Sequence, residues 1–275
     1  LVVCCDIGGA KAIYPVCKRL KNKLNIKVVC TVYSQEIFLD FSNKIIIALD
    51  QTIDSISRIL YDLNPKLIFT GTSEFSNLER FSWKVSRDMG ITSVAIIDSW
   101  TNPKDRFIYY PSKSNGFTKF SQPNIIFVPD KMLRSKIIKG GWCNSDIKIC
   151  GQPHLEQNLS KLIQSRNASN IMQGSILFIS EPVLEKCNAN HMDIGFSQFS
   201  VATKIVNEVL CDISILEIKP HPKENIVNWN NWKNSFSEEK QIKIKISTSK
   251  IEDLICKSEL VLGMASMGLI EAAYS

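Results

Sequence analysis

The sequence has no long apolar segment and no basic block interleaved with aromatic residues. Its longest apolar runs, such as Leu1 to Cys5 and Ile45 to Leu49, have the length of β-strands. A membrane-spanning helix needs ~18 to 20 apolar residues. Nucleic-acid-binding modules usually cluster their basic residues, whereas here Lys and Arg are spread along the chain. These absences argue against an integral membrane protein and against a nucleic-acid partner.

Paired cysteines are also missing. The chain has nine cysteines, an odd number, and no two of them form a CxxC pair. Zinc sites need closely spaced ligand pairs, and disulfide scaffolds are smaller and richer in loops. We therefore expect reduced thiols in the core, which is typical of a cytoplasmic protein.

The common cofactor and metal motifs do not occur. The chain contains neither the GxGxxG fingerprint of dinucleotide sites nor an Asp-x-Asp pair for a divalent ion. We expect no cofactor and a metal-independent reaction.

What is present is the composition of a folded protein, with 44% hydrophobic residues, 22% charged residues and a net charge of +6. That charge suits a phosphate-bearing substrate or an anionic membrane surface, and it equally suits an ordinary lysine-rich solvated surface.

Short β-branched runs alternate with amphipathic helical patterns through the first part of the chain, for example over 53–63 and 75–85. Strands that are apolar throughout, with helices between them, are typical of a parallel sheet covered on both faces. The predicted strands are 1–5, 26–31, 44–49, 66–70, 92–97, 124–128 and 146–150.

A second α/β series follows a polar segment. The series predicts strands at 174–179, 213–218, 242–247 and 259–262, with helices at 197–210, at 250–257 and from 266. We interpret the chain as an N-terminal Rossmann-like domain (1–153), a linker (154–173) and a C-terminal domain (174–275). Because the second series is short, we expect its C-terminal part to be missing.

Ligands of parallel α/β sheets bind at the carboxyl ends of the strands, so the loops there are the first candidates. The loop after the first strand carries Asp6, Gly8 and Gly9, and Pro15 suits the first turn of the helix that follows. The paired glycines predict close approach to a ligand, with a plain tight turn as the alternative.

Two further loops of the first domain carry polar residues. Gly71, Thr72 and Ser73 follow the strand 66–70 and would hold a sugar or a phosphate; together with Glu74 they would alternatively cap the next helix. Asp98 ends the strand 92–97 and is a candidate general base, or else caps the next turn. Trp100 beside it would form an apolar wall for a sugar ring.

The loop after the strand 213–218 is the strongest candidate in the second domain. It reads Lys219-Pro220-His221-Pro222-Lys223, so two prolines hold His221 between two positive charges. A histidine that donates to a phosphate suits a mono- or diphosphate leaving group. Ser180 and Glu181 occupy the equivalent position after the strand 174–179, where a plain turn is the alternative.

The last strand leads into a segment of small residues. Ser266, Met267 and Gly268 stand at the start of the final helix, where free amides favour an anion. Glu271 lies one turn further along and would reach a ribose hydroxyl. The alternative is an ordinary capped helix packed on the sheet.

Lys219-Pro220-His221-Pro222, followed by Gly263, Ser266, Gly268 and Glu271-Ala272, resembles the nucleotide-binding half of bacterial GT-B glycosyltransferases. The group it is similar to comprises polysialyltransferase-like, Kdo-transferase-like and CDP-glycerol glycerophosphotransferase-like enzymes of surface polysaccharides. The sugar-nucleotide 2-epimerases share that fold. The resemblance implies two Rossmann-like domains with parallel sheets facing across a cleft.

Carried over from this resemblance, His221-Pro222 and Ser266 would hold the nucleotide phosphate. The acidic triplet that often supplies the base in these enzymes is missing, so Asp98 and then Asp6 are the candidates for that role. An epimerase would need several carboxylates converging with a histidine, and sequence alone does not assemble that set.

The expected function is a metal-independent glycosyltransferase of bacterial surface polysaccharide synthesis that uses a CMP- or UDP-sugar. Its partners would be that donor and a saccharide or lipid-linked acceptor, which is compatible with peripheral attachment to the inner membrane face. A CDP-polyol phosphotransferase and a UDP-sugar 2-epimerase are the alternatives with the same fold. A non-catalytic nucleotide- or partner-binding module is the alternative of another class.

Overall fold

The computed structural model describes residues 1–74, 76–109, 119–190 and 194–275. The chain divides into two compact units, Leu1–Gln157 and Asn158–Ser275. Phe75, where the helical pattern over 75–85 begins, and His191 lie outside the described residues.

The first unit is a Rossmann-like α/β fold. Its strands are β1 (Val2–Cys4), β2 (Val28–Cys30), β3 (Ile45–Ile47), β4 (Leu67–Thr70), β5 (Thr92–Ile96), β6 (Ile108–Tyr109), β7 (Lys119–Phe120), β8 (Ile125–Val128) and β9 (Asp146–Ile149). Its helices are α1 (Ile7–Leu20), α2 (Ile53–Leu63), α3 (Leu78–Asp88), α4 (Lys131–Gly140) and the first part of α5 (Pro153–Ala168), with 3₁₀ helices at Gln35–Lys44 and Asp105–Phe107.

Seven of these strands form one parallel sheet in the order β3-β2-β1-β4-β5-β8-β9, and β6 and β7 pair in a separate antiparallel ribbon. Alternate residues of each strand face opposite sides. Val2 and Cys4 therefore pack in the core under α1, whereas Val3 packs in the core under α2 and α3. The order reverses between β1 and β4, which is where a sheet of this kind forms its ligand crevice.

The second unit is smaller and built on the same plan. Its strands are β10 (Met172–Ile179), β11 (Ile215–Lys219), β12 (Ile244–Ile246) and β13 (Ser258–Gly263). Its helices are the rest of α5, α6 (Val183–Asn190), α7 (Gln198–Val209), α8 (Ile226–Asn234), α9 (Glu238–Lys243), α10 (Ile251–Lys257) and α11 (Met267–Tyr274), with a 3₁₀ turn at Leu210–Asp212. The four strands form a parallel sheet in the order β12-β11-β10-β13.

The two parallel sheets with helices between their strands confirm the predicted fold class, and each of the eleven predicted strands occurs within one or two residues of its expected place. All nine cysteines are free thiols, but the prediction that they lie in the core was wrong for Cys150 and Cys211, which are exposed. Among the described residues, no helix combines the length and the apolarity that crossing a membrane requires.

The prediction for Pro15 was wrong. The structure places this proline deep inside α1, which begins at Ile7 and not near Pro15. Asp6 sets the earlier start because its carboxylate accepts a hydrogen bond from the Gly9 amide and so caps the helix. Pro15 itself is one of the buried residues of α1.

Candidate functional site

Three carboxyl groups gather at the carboxyl edge of the first sheet. Asp6 follows β1, Asp98 follows β5, and Glu79 reaches the same edge from the first turn of α3. β1, β4 and β5 are neighbours in the sheet, so the loops after them lie side by side at the point where the strand order reverses. Within the described part of the chain these carboxyls do not form a cluster suited to a metal ion.

Asp6 is both a helix cap and a perturbed acid. Its Oδ1 accepts from the Gly9 amide at 2.8 Å. Burial raises the pKa of Asp6, and the negative charge of Asp98 raises it further, while the Gly9 amide, Arg106 and Ser73 oppose these effects. Asp6 therefore holds its proton to a higher pH than an ordinary aspartate does.

Asp98 forms an ion pair with Arg106. Arg106 Nη1 lies 2.5 Å from Asp98 Oδ1, and the two side chains are only 8% and 13% exposed. The same guanidinium donates to Thr72 O at 2.8 Å, to Thr72 Oγ1 at 3.0 Å and to Ser99 Oγ at 3.0 Å. This arrangement satisfies the buried cation and holds the Asp98 carboxylate in one orientation.

Sequence reasoning missed Arg106. It lies in a 3₁₀ turn that follows no predicted strand, and nothing local marks it as a partner of Asp98. The one available signal is compositional, because only seven of the 33 basic residues are arginines. Arginine is the residue of choice for a buried pair with a carboxylate, so a rare arginine in a lysine-rich chain merits inspection.

Glu79 was also missed. It is 1% exposed, and its Oε1 accepts from the Cys5 amide at 2.8 Å, directly beside Asp6. Its Oε2 has no hydrogen-bond partner in the described part of the chain. Burial raises the pKa of Glu79 to about 8, with a further contribution from Asp6. The available signal was spacing, because Glu79, Ser82 and Ser86 recur on one helical face of the sequence; the structure buries all three.

The glycines predicted to bind a ligand make close backbone contacts in the first unit. A Cβ added to Gly9 would lie 3.2 Å from the Cα of Gly71, and one added to Gly71 would lie 3.1 Å from the Cα of Gly9. The start of α1 thus rests directly on the end of β4, and packing alone accounts for both glycines. Contact with a ligand stays a prediction for Gly8, Gly9 and Gly71.

A methyl group on Gly8 should disturb the carboxyl cluster, because a Cβ at this position would overlap Asp98 Oδ2. Asp98 cannot turn away without breaking its hydrogen bond to Arg106. We expect Gly8→Ala to cost about 1 to 3 kcal/mol of stability, measured by urea unfolding. In the Asp98→Ala background, Gly8→Ala should cost less stability than it does in the parent protein. Equal costs in the two backgrounds would contradict the overlap.

The hydroxyls of the loop after β4 serve the protein itself. Thr72 Oγ1 donates to the Ile96 carbonyl at 3.3 Å, and Ser73 lies close enough to Asp6 to lower its pKa. The alternative that these residues cap the next helix was wrong. α3 begins only at Leu78, whose amide donates to Ser76 Oγ at 3.0 Å.

Trp100 packs in the core around Trp83 and Phe107. Its indole N–H donates to Asp130 Oδ2 at 2.6 Å, so the side chain is tethered towards the start of α4. Its proposed role as the wall of a sugar site stays a prediction.

The His221 loop of the second unit is rigid. His221 Nδ1 accepts from the Lys223 amide at 3.1 Å, so the ring proton of the neutral imidazole lies on Nε2. Glu224 Oε2 accepts from the His221 amide at 2.5 Å, and Glu224 Oε1 accepts from Ser180 Oγ at 2.8 Å. Ser180, predicted to meet a phosphate, thus donates to a carboxylate that braces the histidine loop.

The charged side chains around the His221 loop differ in how far they are exposed to solvent. Lys219 ends β11 and is partly buried, which lowers its pKa, whereas Lys223 is exposed. Burial raises the pKa of Glu224. Glu181 is partly buried at the end of the neighbouring β10. β11, β10 and β13 are adjacent, so the sheet brings the loops after them to one edge.

The start of α11 lies at that same edge. Ser266 caps the helix, its Oγ accepting from the Gly268 amide at 3.3 Å, and Met267 begins it. A Cβ on Gly268 would press on the Ile251 and Ile179 side chains, so this glycine also allows close packing. Glu271 is only 6% exposed and stands on the buried side of the helix. Whether these residues bind a ribose stays a prediction.

Comparison with known proteins identifies the fold. No family model and no curated protein matches the sequence. The solved structures that are similar include a co-structure of S. aureus MnaA with UDP (12% identity, TM-score 0.62), a putative UDP-N-acetylglucosamine 2-epimerase of Listeria monocytogenes (11%, 0.63) and a UDP-N-acetylglucosamine 2-epimerase of Rickettsia bellii (13%, 0.61). They match 98%, 98% and 99% of this chain, which spans 74%, 74% and 76% of theirs.

At such low identity the similarity shows a shared fold. It supports the GT-B-like architecture of two Rossmann-like units that the sequence predicted. The Listeria and Rickettsia proteins are described as epimerases and not as members of the surface-polysaccharide transferase groups that the motifs resemble.

Proposed function

We propose that this chain is an enzyme that acts on a UDP-sugar and moves a proton at a carbon of the sugar, as a sugar-nucleotide epimerase does. The observation that carries the proposal is the convergence of Asp6, Glu79 and Asp98 at one edge of the first sheet. Sequence alone did not assemble this set of carboxylates.

Inverting a stereocentre that bears hydrogen requires a group that removes a proton and a group that returns one. Asp6 and Asp98 suit these roles because their surroundings differ. Asp98 is paired with Arg106, whereas the pKa of Asp6 is raised by burial and by the charge of Asp98. Two neighbouring acids in unlike surroundings are the usual means of running acid and base chemistry together.

The second unit would hold the nucleotide. His221 presents an Nε2–H donor, and Lys219 and Lys223 add positive charge, which suits a diphosphate. The start of α11 near Ser266 offers amides to an anion. UDP is the nucleotide of choice in this proposal because the S. aureus structure of the same fold contains it and the epimerase neighbours are named for a UDP-sugar.

Glycosyl transfer is the second candidate, since a loop that grips a diphosphate would serve a departing nucleotide equally well. In that reaction Asp98 would deprotonate an acceptor hydroxyl, and an acceptor saccharide would be required. A CDP-polyol phosphotransferase would differ in requiring a cytidine nucleotide, and a non-catalytic module would bind without turnover.

Solvent deuterium separates these reactions. The protein would be incubated in D2O with UDP-N-acetylglucosamine and with a panel of other UDP-sugars, and the sugars would be followed by proton NMR. We expect deuterium to replace hydrogen at one carbon of the sugar. Asp98→Asn should slow the exchange by about 100- to 10,000-fold. Asp88→Asn is a matched control, because Asp88 lies on the exposed surface of α3. Nucleotide release that needs an acceptor and leaves the sugar free of deuterium would instead indicate glycosyl transfer.

A further inference from the structure

Glu79 occupies an unusual position for a carboxyl group. It is buried at the first turn of α3, with one oxygen on the Cys5 amide and the other without a partner in the described residues. The Cys5 amide belongs to the residue before Asp6, so the Glu79 carboxyl holds the backbone from which the Asp6 side chain departs.

Among the residues that the structure describes, no cation forms an ion pair with Glu79, and the charge of Arg80 lowers its pKa less than burial raises it. The nearby cation on its own helix, Arg80, donates through Nη1 to the Ser76 carbonyl and through Nη2 to the carbonyls of Glu74 and Asp105. Arg106 is engaged by Asp98, Thr72 and Ser99. A buried carboxylate without a cationic partner is costly, and the ordinary resolution is that it keeps its proton.

The titratable and charged groups that face Glu79 are Cys4, Cys5 and Asp6 from β1 and the loop after it, and Arg80 from α3 itself. Burial and then the negative charge of Asp6 raise the pKa of Glu79, whereas the Cys5 amide and the charge of Arg80 lower it. Burial outweighs these opposing effects.

We propose that Glu79 is a positioning residue for Asp6: it holds a proton on Oε2, anchors the Cys5 amide through Oε1, and as a neutral acid adds no second negative charge beside Asp6. This role rests on the proposed function in that Asp6 carries the proton of the reaction. Once Asp6 has given up its proton, the pair holds a single negative charge, because Glu79 stays neutral.

The pH dependence of kcat/KM should reveal the protonation of Glu79. When Glu79 ionises, near pH 8, the doubly charged pair repels an anionic nucleotide sugar and strains the loop that carries Asp6. We expect kcat/KM to fall on the alkaline side with a midpoint near that pH. The Glu79→Gln side chain stays neutral and still accepts from the Cys5 amide. In this variant the midpoint of the alkaline fall in kcat/KM should move up by about one pH unit or more. An unchanged midpoint in Glu79→Gln would overturn the proposal.

Two comparisons separate the role of Glu79 from simple packing. Glu79→Leu, which cannot accept from the Cys5 amide, should lower kcat at every pH, whereas Glu79→Gln should retain turnover at pH 7. A folded Gln variant that loses turnover would show that Glu79 must ionise or move its own proton, and would also overturn the proposal.

A titration followed by carbon-13 NMR tests the proton directly, without relying on turnover. In protein labelled at the glutamate carboxyl carbons, we expect one carboxyl to titrate above pH 7. That signal should vanish in Glu79→Gln. If that variant does not fold, Glu224→Gln serves instead, and the signal should persist in it. If no glutamate titrates above pH 7, the proposal is wrong. A chain without activity on UDP-sugars would leave this result intact, so failure of the proposed function is distinguishable from failure of this role.

Discussion

The parent protein should lose much of its stability as the pH rises from about 5 to 8, and Glu79→Gln should abolish most of that loss. The pKa of Glu79 is raised by burial from 4.5 to about 8 in the folded protein. The unfolded chain therefore releases this proton near pH 4.5, while the folded protein keeps it until pH 8. The free energy of unfolding falls as pH rises through this window and levels off above it.

The size of the effect follows from the pKa difference. Each unit corresponds to about 1.4 kcal/mol, so Glu79 alone would account for roughly 4 to 5 kcal/mol between the two ends of the window. This is a large part of the stability of an ordinary domain. A neutral glutamine cannot contribute a slope, so the variant should be the more stable protein at pH 8.

Urea unfolding of both proteins at pH 5, 6.5 and 8 and constant ionic strength measures this difference. A smaller slope should remain in Glu79→Gln, because the pKa of Asp6 is raised as well. Asp6→Asn, which still caps α1, should reduce that remaining slope. Equal slopes in the parent and Glu79→Gln would mean that Glu79 ionises normally inside the fold.

His221→Ala should remove about half or more of the stabilisation that UDP confers on the protein, together with turnover. A ligand at 100 times its Kd adds ~2.7 kcal/mol to the folded state. A hydrogen bond from His221 Nε2 to a charged phosphate contributes about 1.5 to 3 kcal/mol, so its loss should weaken binding about 10- to 100-fold. At the same UDP concentration, the stabilisation would then fall to roughly 0.4 to 1.4 kcal/mol.

Thermal unfolding with UDP, UDP-sugars, CMP and CDP checks this expectation. His154→Ala is a matched control, since His154 stands in the first turn of α5 and belongs to the first unit, whereas the loop after β11 belongs to the second. A cytidine-selective response that His221→Ala abolishes would favour the CMP-sugar or CDP-polyol reaction. A UDP response that is equal in both histidine variants and the parent would remove His221 from the nucleotide site.

Much of the fold could be read from the sequence because buried parallel strands leave a strong pattern. Runs such as Val2–Cys4 and Ile176–Ile179 are apolar on both faces, since helices cover both sides of each sheet. Helix limits were less certain. The start of α1 depends on a single hydrogen bond from Gly9 to Asp6, and Pro15 suggested a later start.

The candidate site was only partly visible for a different reason. Asp6, Asp98 and His221 were found because they directly follow strands, and the carboxyl ends of parallel strands are where ligands bind. Arg106 and Glu79 do not follow strands. Arg106 comes from a 3₁₀ turn, and Glu79 comes from a helix whose buried face is crowded with polar side chains.

The sequence by itself determined the two α/β series, the parallel sheets and the polar residues at the strand ends, because backbone hydrogen bonding and apolar burial act through local patterns. Only the tertiary structure decided that Arg106 pairs with Asp98, that Gly9 lies against Gly71 and that Glu79 accepts from the Cys5 amide beside Asp6. These contacts join residues from separate elements. Their distances and burial, which set charge and proton affinity, exist only after the elements have packed.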